Sequence, residues 1–558
     1  MTIDDVCCMF VLSGEIRLAY NMCCIFIMKE NDCIVKSYNY TLYFLRRISM
    51  KKNLFKRAMA MGLSVLMVSG LSGCNGSEGK DFTLEGGDPN DLPQQISMMA
   101  DTVVLPENGL SNFCDEFKKQ TGIGLSVEKP DHAKYYEKVT LAFASEEPAD
   151  LIEMGSTYYP ELANSGALWD MTDAWNNSTS NCKKIIDEQY VDALKINGQL
   201  YGFPMSAGNG TVTYVREDWL KEAGLDAPKN YDEFINMLRA FKKRGNGTIP
   251  ITAAGLLNTE TPYDLYLREF YQDANPDFYK DETTGKYVDG FSQPEMREAV
   301  QRLRDVYQEG LLDAEVVTNK TSTCRDKLGS GLVGTFNYWA GKWGMKLDKS
   351  LSGQGNMKAI PAIEETGGYT ERVPTALAMS IYAPNKAAIF EHVIMYSHDG
   401  GEGQMLFTHG VKDVHYTVDE NGNYTVKKQM SDPKSDFEKA LYDAELSITN
   451  WNDPFKFDSR ITDSINTYRE KRRFATVPKV TDTISENLAD LNVVKNVVVA
   501  NAVTGKTSID DAFKYYEEKG GYYVNAILED LNSEENLAEE AKAQEAADAV
   551  ENKSTQGN

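Results

Sequence analysis

Two periods of apolar residues alternate along the chain. Residues 102–105 (Thr-Val-Val-Leu) read as a short buried strand, while 111–121 carry apolar positions at helical spacing and stop at Gly122. The alternation continues with a strand over 124–127, a helix over 135–145, a strand over 150–154 and a helix over 159–165 that ends at Gly166. Strands alternating with helices predict an α/β fold with a largely parallel sheet. No internal repeat is evident.

Upstream of this pattern lies a different signal. Met50 is followed by Lys51, Lys52, Lys56 and Arg57, then by an apolar run over 58–70. That run is shorter than the roughly 20 apolar residues a spanning helix needs. Leu71-Ser72-Gly73-Cys74 follows at once and resembles a bacterial lipobox, in which the Cys74 thiol receives a diacylglycerol. The resemblance implies a signal peptide over 50–73 and a flexible tether over 74–97. It also implies a protein held on the outer face of the cell membrane by acyl chains, each buried methylene contributing ~0.8 kcal/mol. Residues 1–49 hold five of the nine cysteines, and the stretch reads as a mis-called start ahead of Met50. Its pairs Cys7-Cys8 and Cys23-Cys24 lack the CxxC spacing of a zinc site, and the stretch contains no histidine.

Charge narrows the partners. The chain carries 58 Lys and Arg against 83 Asp and Glu, a formal net charge of −25. Setting aside 1–73, with its nine basic and five acidic residues, leaves −29 over 485 residues. So acidic a body argues against nucleic acid, whose phosphates require a basic surface. Beyond Cys74 only Cys114, Cys182 and Cys324 remain, too few for a disulfide framework, and a chain this long is expected to divide its core between domains. Residues 533–558, with seven acids, two lysines and no aromatic residue, read as a frayed helix or a solvated acidic tail.

Several strings then follow one another in a recognisable order: Phe117-Lys-Lys-Gln-Thr-Gly122, Leu141-Ala-Phe-Ala-Ser145, Pro148-Ala-Asp150, Gly166-Ala-Leu168 and Asn197-Gly-Gln-Leu-Tyr-Gly-Phe-Pro204. Tyr214-Val-Arg-Glu-Asp-Trp-Leu220 with Gly224 looks like the helix after a crossover, and Gly410-Val-Lys-Asp-Val-His-Tyr416 continues the series. The order resembles that of extracellular solute-binding proteins of carbohydrate ABC transporters, in the oligosaccharide-binding lipoprotein branch. The resemblance implies an α/β, two-lobed fold with an interlobe ligand cleft, a first lobe of 98–207 and 376–430, and a second of 208–375 and 431–532. Crossings are expected near 206–212, near 373–380 and after Tyr416. It further implies a monomer without cofactor that passes a carbohydrate, or alternatively a peptide or other polar solute, to the permease subunits. Some alginate-binding relatives carry an acidic calcium loop. Here Phe241-Lys-Lys-Arg-Gly-Asn-Gly247 stands in its place, and its cations cannot supply the carboxylate oxygens calcium needs, so no metal is expected there.

A sugar cleft requires aromatic platforms beside hydrogen-bonding groups. The segment 334–343 is the richest candidate: a strand ending at Phe336 would deliver Asn337, Tyr338 and Trp339 into a loop, with Trp343 behind them. The competing reading places these aromatics in the core of the second lobe. In the first lobe, Glu107 and Asn108 follow the first strand, and Ser156 and Tyr158 follow the third, at strand ends where open α/β sheets hold ligands. Glu107 and Ser156 are equally suited to capping a helix or turning the chain. Asn209 between two glycines suits a hinge or a ligand loop, and Tyr263 and Asp264 start a Tyr-rich helix that packing alone also explains. Catalytic signatures are missing: no GxSxG elbow, HExxH zinc motif or P-loop occurs, and the five histidines do not cluster by spacing. A glycosidase needs two carboxylates about 5–10 Å apart, and abundant acids alone identify no such pair. A surface adhesin stays open as a rival from another class.

Overall fold

The computed structural model describes residues 86–257, 266–475, 477–538 and 540–542. Strands β1 (Gln95–Met99), β2 (Gly124–Glu128), β3 (Leu151–Met154), β4 (Gly202–Pro204), β5 (Thr211–Arg216), β6 (Ile249–Thr252), β7 (Val333–Trp339), β8 (Met357–Ile360), β9 (Tyr369–Glu371), β10 (Ala376–Met379) and β11 (Arg472–Phe474) carry the architecture. Around them lie helices α1 (Leu110–Thr121), α2 (Tyr135–Ala144), α3 (Tyr158–Asn164), α4 (Glu217–Ala223), α5 (Tyr231–Lys242), α6 (Pro294–Gln308), α7 (Lys342–Ser350), α8 (Ser459–Arg469), α9 (Asp482–Val503) and α10 (Ile509–Leu531).

Among the described residues two sheets have more than two strands, one per lobe. The first runs β2-β1-β3-β10-β4, with β1 parallel to β2 and β3 and with β10 antiparallel to β3 and β4. The second runs β8-β5-β7-β6, with β7 parallel to β6 but antiparallel to β5. Parallel pairing therefore holds where βαβ units follow one another, and antiparallel pairs appear where the chain returns from the opposite lobe. The cores match this division. Met98, Phe113, Phe117, Ile152 and Phe203 are buried in the first lobe, and Val212, Phe234, Leu238, Phe241 and Phe336 in the second. Helices stop where the sequence marks them, as at Gly122, whose φ of 79° closes α1.

Several expectations shift. The first strand lies at Gln95–Met99, inside the stretch assigned to a tether, and residues 102–105 form no strand. The Glu153 carboxylate explains the bend, since it accepts from the Asp101 and Thr102 amides at 2.9 Å each and draws them out of the ladder. Residues 214–216 belong to β5 rather than to a helix, because Thr211–Arg216 is buried at all six positions and rich in β-branched residues. Residues 440–450 pair with the first lobe, through Val104, Phe407, Thr408, Ala207, Asp187 and Ile185, so the last return to the second lobe comes at 451–458 instead of 430. The acidic end is partly tied down: Glu540 pairs with Lys280 at 2.9 Å and Lys479 at 2.8 Å.

The crossings are narrow. Residues 205–210 link β4 to β5 and 372–375 link β9 to β10, and the two run side by side through the Arg372 amide, which donates to Asn209 O at 2.9 Å. Gly208 and Gly210 are required by this approach, because a Cβ on either would collide with the carbonyl oxygen of Arg372 or Thr370.

Candidate functional site

The first-lobe wall is built at the ends of β1 and β3. Tyr136, on α2, accepts the Gly155 amide at 2.7 Å through its hydroxyl and lies flat against Tyr158, with ring centroids 3.9 Å apart and planes 5° from parallel. Burial pushes the Tyr136 phenol up to about 12, so the pair stays neutral and presents apolar faces with hydroxyl edges. Beneath it Glu153 is buried; burial raises its carboxyl above the usual range, opposed by the Thr102 amide and the charge of Lys439. Asp101 faces His132 Nδ1 at 2.6 Å on the solvent side.

The second-lobe wall comes from β7, which runs seven residues to Trp339 instead of ending at Phe336. Alternation then sends neighbouring side chains to opposite faces, so Asn337, Tyr338 and Trp339 do not form a loop triad. Asn337 is wholly buried, and its Nδ2 donates to Glu269 at 2.8 Å. Tyr338 is buried too: it stacks on Phe336 at 4.9 Å, meets Trp343 edge-on at 4.8 Å and accepts from Arg325 at 2.6 Å. Both positions lie within β7 and pair with Thr213 and Val212 of β5, so neither stands in a loop. Trp339 is half-buried, and the Arg372 guanidinium lies over its ring at 4.0 Å. Trp343, also half-buried, opens α7 with Arg325 and Lys346 each 5.1 Å from its ring.

The remaining candidates divide by role. Glu107 is exposed in a short 3-10 turn, and Ser156 is half-buried just before α3. Asn108 is buried and holds the excursion beyond Gly410: its Oδ1 accepts from Ser431 N at 2.8 Å, and its carbonyl faces His415 Nε2 at 2.8 Å. Asn209 adopts φ of 57° and bonds Gly210 and Ala340, which makes it part of the crossing. Tyr263, Asp264 and Cys74 lie outside the described residues. Among the described residues no cluster of three or more His, Cys, Asp or Glu is placed to hold a metal ion.

Sequence reasoning missed Tyr136, Glu153, Arg372 and the polar seam where the lobes meet. That seam joins Lys342 at the start of α7 to Asp443 at 3.1 Å and Glu445 at 3.3 Å, with Lys439 2.6 Å from Asp443. Desolvation would raise the Asp443 carboxyl, but the charges of Lys439 and Lys342 hold it well below the usual carboxylate range. A separate groove of about 720 Å³ runs between β8 and α8, lined by Tyr214, Met357, Ala359, Arg460 and Thr467, and it includes none of the candidates.

Known proteins resemble the chain in sequence and in fold. The profile of the family described as bacterial extracellular solute-binding protein matches residues 106–394. Lipoprotein LipO of Bacillus subtilis is 26% identical over 300 residues, covering 51% of this chain and 56% of that protein. The fructooligosaccharide ABC transporter substrate-binding protein FusA of Streptococcus pneumoniae is 24% identical over 312 residues, covering 52% and 58%. The chain thus spans about half the length of the curated relatives it matches. Among solved structures, the HMO-binding, ABC-transporter-associated solute-binding protein of Bifidobacterium longum infantis superimposes with a TM-score of 0.59 at 19% identity, over 81% of this chain and 99% of that one. At that identity the likeness shows the fold, two lobes included. With its profile match spanning half its length, the chain belongs to the bacterial extracellular solute-binding protein family.

Proposed function

We propose that this protein captures an oligosaccharide between its lobes and delivers it to the permease of an ABC importer, without chemical conversion. The observation that carries the reading is the stacked Tyr136–Tyr158 pair at the strand ends of the first lobe, together with the half-buried Trp339 and Trp343 at and just beyond the end of β7 in the second. Aromatic faces match the C–H faces of pyranose rings, and Asp101, Glu107 and Ser156 at the first-lobe strand ends supply partners for hydroxyls. The naming of FusA as a fructooligosaccharide binder supports the ligand class. Binding then favours closure by its differential affinity for the closed state.

Anchoring through Cys74 belongs to the same proposal. The lipobox-like Leu71-Ser72-Gly73-Cys74 supports it, and among the described residues no helix is long and apolar enough to cross a membrane. A thermal-shift screen against mono- and oligosaccharides tests the reading. A ligand at 100 times its Kd adds ~2.7 kcal/mol to the native state. The expected result is a shift with one glycan that disappears in Tyr158→Ala. A peptide that shifts the transition while every glycan is silent would overturn the carbohydrate assignment.

A further inference from the structure

Helix α7 belongs to the second lobe, since it follows β7 directly and packs on α8 and β8. Residues 438–445 belong to the first: Ala440 O accepts from Val104 N, and the Ala440, Leu441 and Tyr442 amides donate to Thr408 and Phe407. Lys342 reaches from one to the other. Its Nζ lies 3.1 Å from Asp443 Oδ1, 3.3 Å from Glu445 Oε2 and 3.2 Å from Glu438 O. The group is shielded, with side-chain exposures of 17% for Lys342 and 6% for Glu445. A neighbouring cross-lobe pair, Lys346 with Glu438 at 2.8 Å, is far more exposed.

We propose that Lys342 is a built-in tie between the lobes that sets their open–closed balance before any ligand arrives. The inference rests on the two-lobe capture reading but adds a residue that no sugar needs to touch. Lys342 and its partners flank the crossing, where Ala340 N donates to Gly210 O and Asp443 N to Ser206 Oγ, and any opening that draws Lys342 from Asp443 and Glu445 admits water to a shielded seam. Without the ammonium, Asp443 keeps Lys439, but Glu445 stays buried among acids, which favours separation and rehydration. A protein whose competent closed state is less populated binds ligand more weakly in proportion.

Small-angle scattering of the ligand-free protein tests the tie. Lys342→Met is expected to shift the radius of gyration upward, and Glu445→Gln to shift it in the same direction should the first variant fail to fold. Lys346→Met, which breaks an exposed pair of the kind that contributes little, is expected to scatter as the parent does. Unchanged scattering in folded Lys342→Met and Glu445→Gln overturns the tie, as does an equal shift in Lys346→Met. No ligand enters this experiment, so its outcome is separate from the glycan screen: a protein that opens on Lys342→Met keeps the tie even if every glycan fails to bind.

Discussion

Asp277 should make the protein less stable as the medium turns from acid to neutral. Its Oδ2 is buried without a hydrogen-bond partner, beside Lys495, whose Nζ lies 2.5 Å from Pro276 O, and near Asp289, which accepts from Tyr516 at 3.0 Å. Burial pushes the Asp277 carboxyl from 3.8 up to about 6, with Lys495 opposing and Asp289 adding to the rise. A carboxyl with a raised folded-state pKa favours the native state when protonated. That contribution is complete below about 4 and is lost as pH rises through about 6. The displacement from 3.8 to about 6 corresponds to ~3 kcal/mol as an upper bound. Asp277→Asn mimics the protonated form. Urea unfolding between pH 4 and 8 should show parent and variant converging at pH 4, with the variant the more stable at pH 7.5 by up to ~3 kcal/mol. A variant that is less stable at pH 7.5, or that tracks the parent at every pH, would refute the reasoning.

Three other outcomes follow from the same structure. Asn337→Ala removes a donor from the buried Glu269 carboxylate and should cost ~1–3 kcal/mol in thermal or urea unfolding while leaving ligand affinity intact, since Asn337 is wholly buried. Gly208→Ala forces the two crossings apart at the Arg372 carbonyl and should lower the melting temperature by several degrees, more than Gly521→Ala on α10, where a Cβ meets nothing within 4 Å and φ is not positive. Cys74→Ser should release the protein from the membrane fraction, and intact mass should show the loss of a diacylglyceryl group; a variant that stays membrane-bound counts against anchoring at that thiol.

How far the fold could be read from the residues depended on the range of the interactions. Helix α1 ends at Gly122 and α3 before Gly166 because a helix ends by local chemistry, so both stops were legible. The displacement of the first strand was not, because it depends on Glu153 reaching Asp101 and Thr102 from about fifty residues away. Segment 334–343 shows the same limit at the site. Its aromatics are plain in the sequence, yet whether β7 stops at Phe336 or runs to Trp339 depends on pairing with β5, which aligns Tyr338 with Val212 and Trp339 with Thr211. Tyr136 looked like one more residue of an amphipathic helix, and only the fold sets it face to face with Tyr158. Lys342, Asp443 and Glu445 were three charges among many until two lobes brought them within 3.3 Å.

Titration calorimetry with the glycan picked out by thermal shift tests the central claim most directly. The account expects a single saturable site per protein, with binding abolished or weakened at least tenfold in both Tyr158→Ala and Trp339→Ala, one from each lobe, a loss of about 1.4 kcal/mol or more. Full-strength binding in both variants would contradict capture at the interlobe junction and place the ligand elsewhere on the molecule.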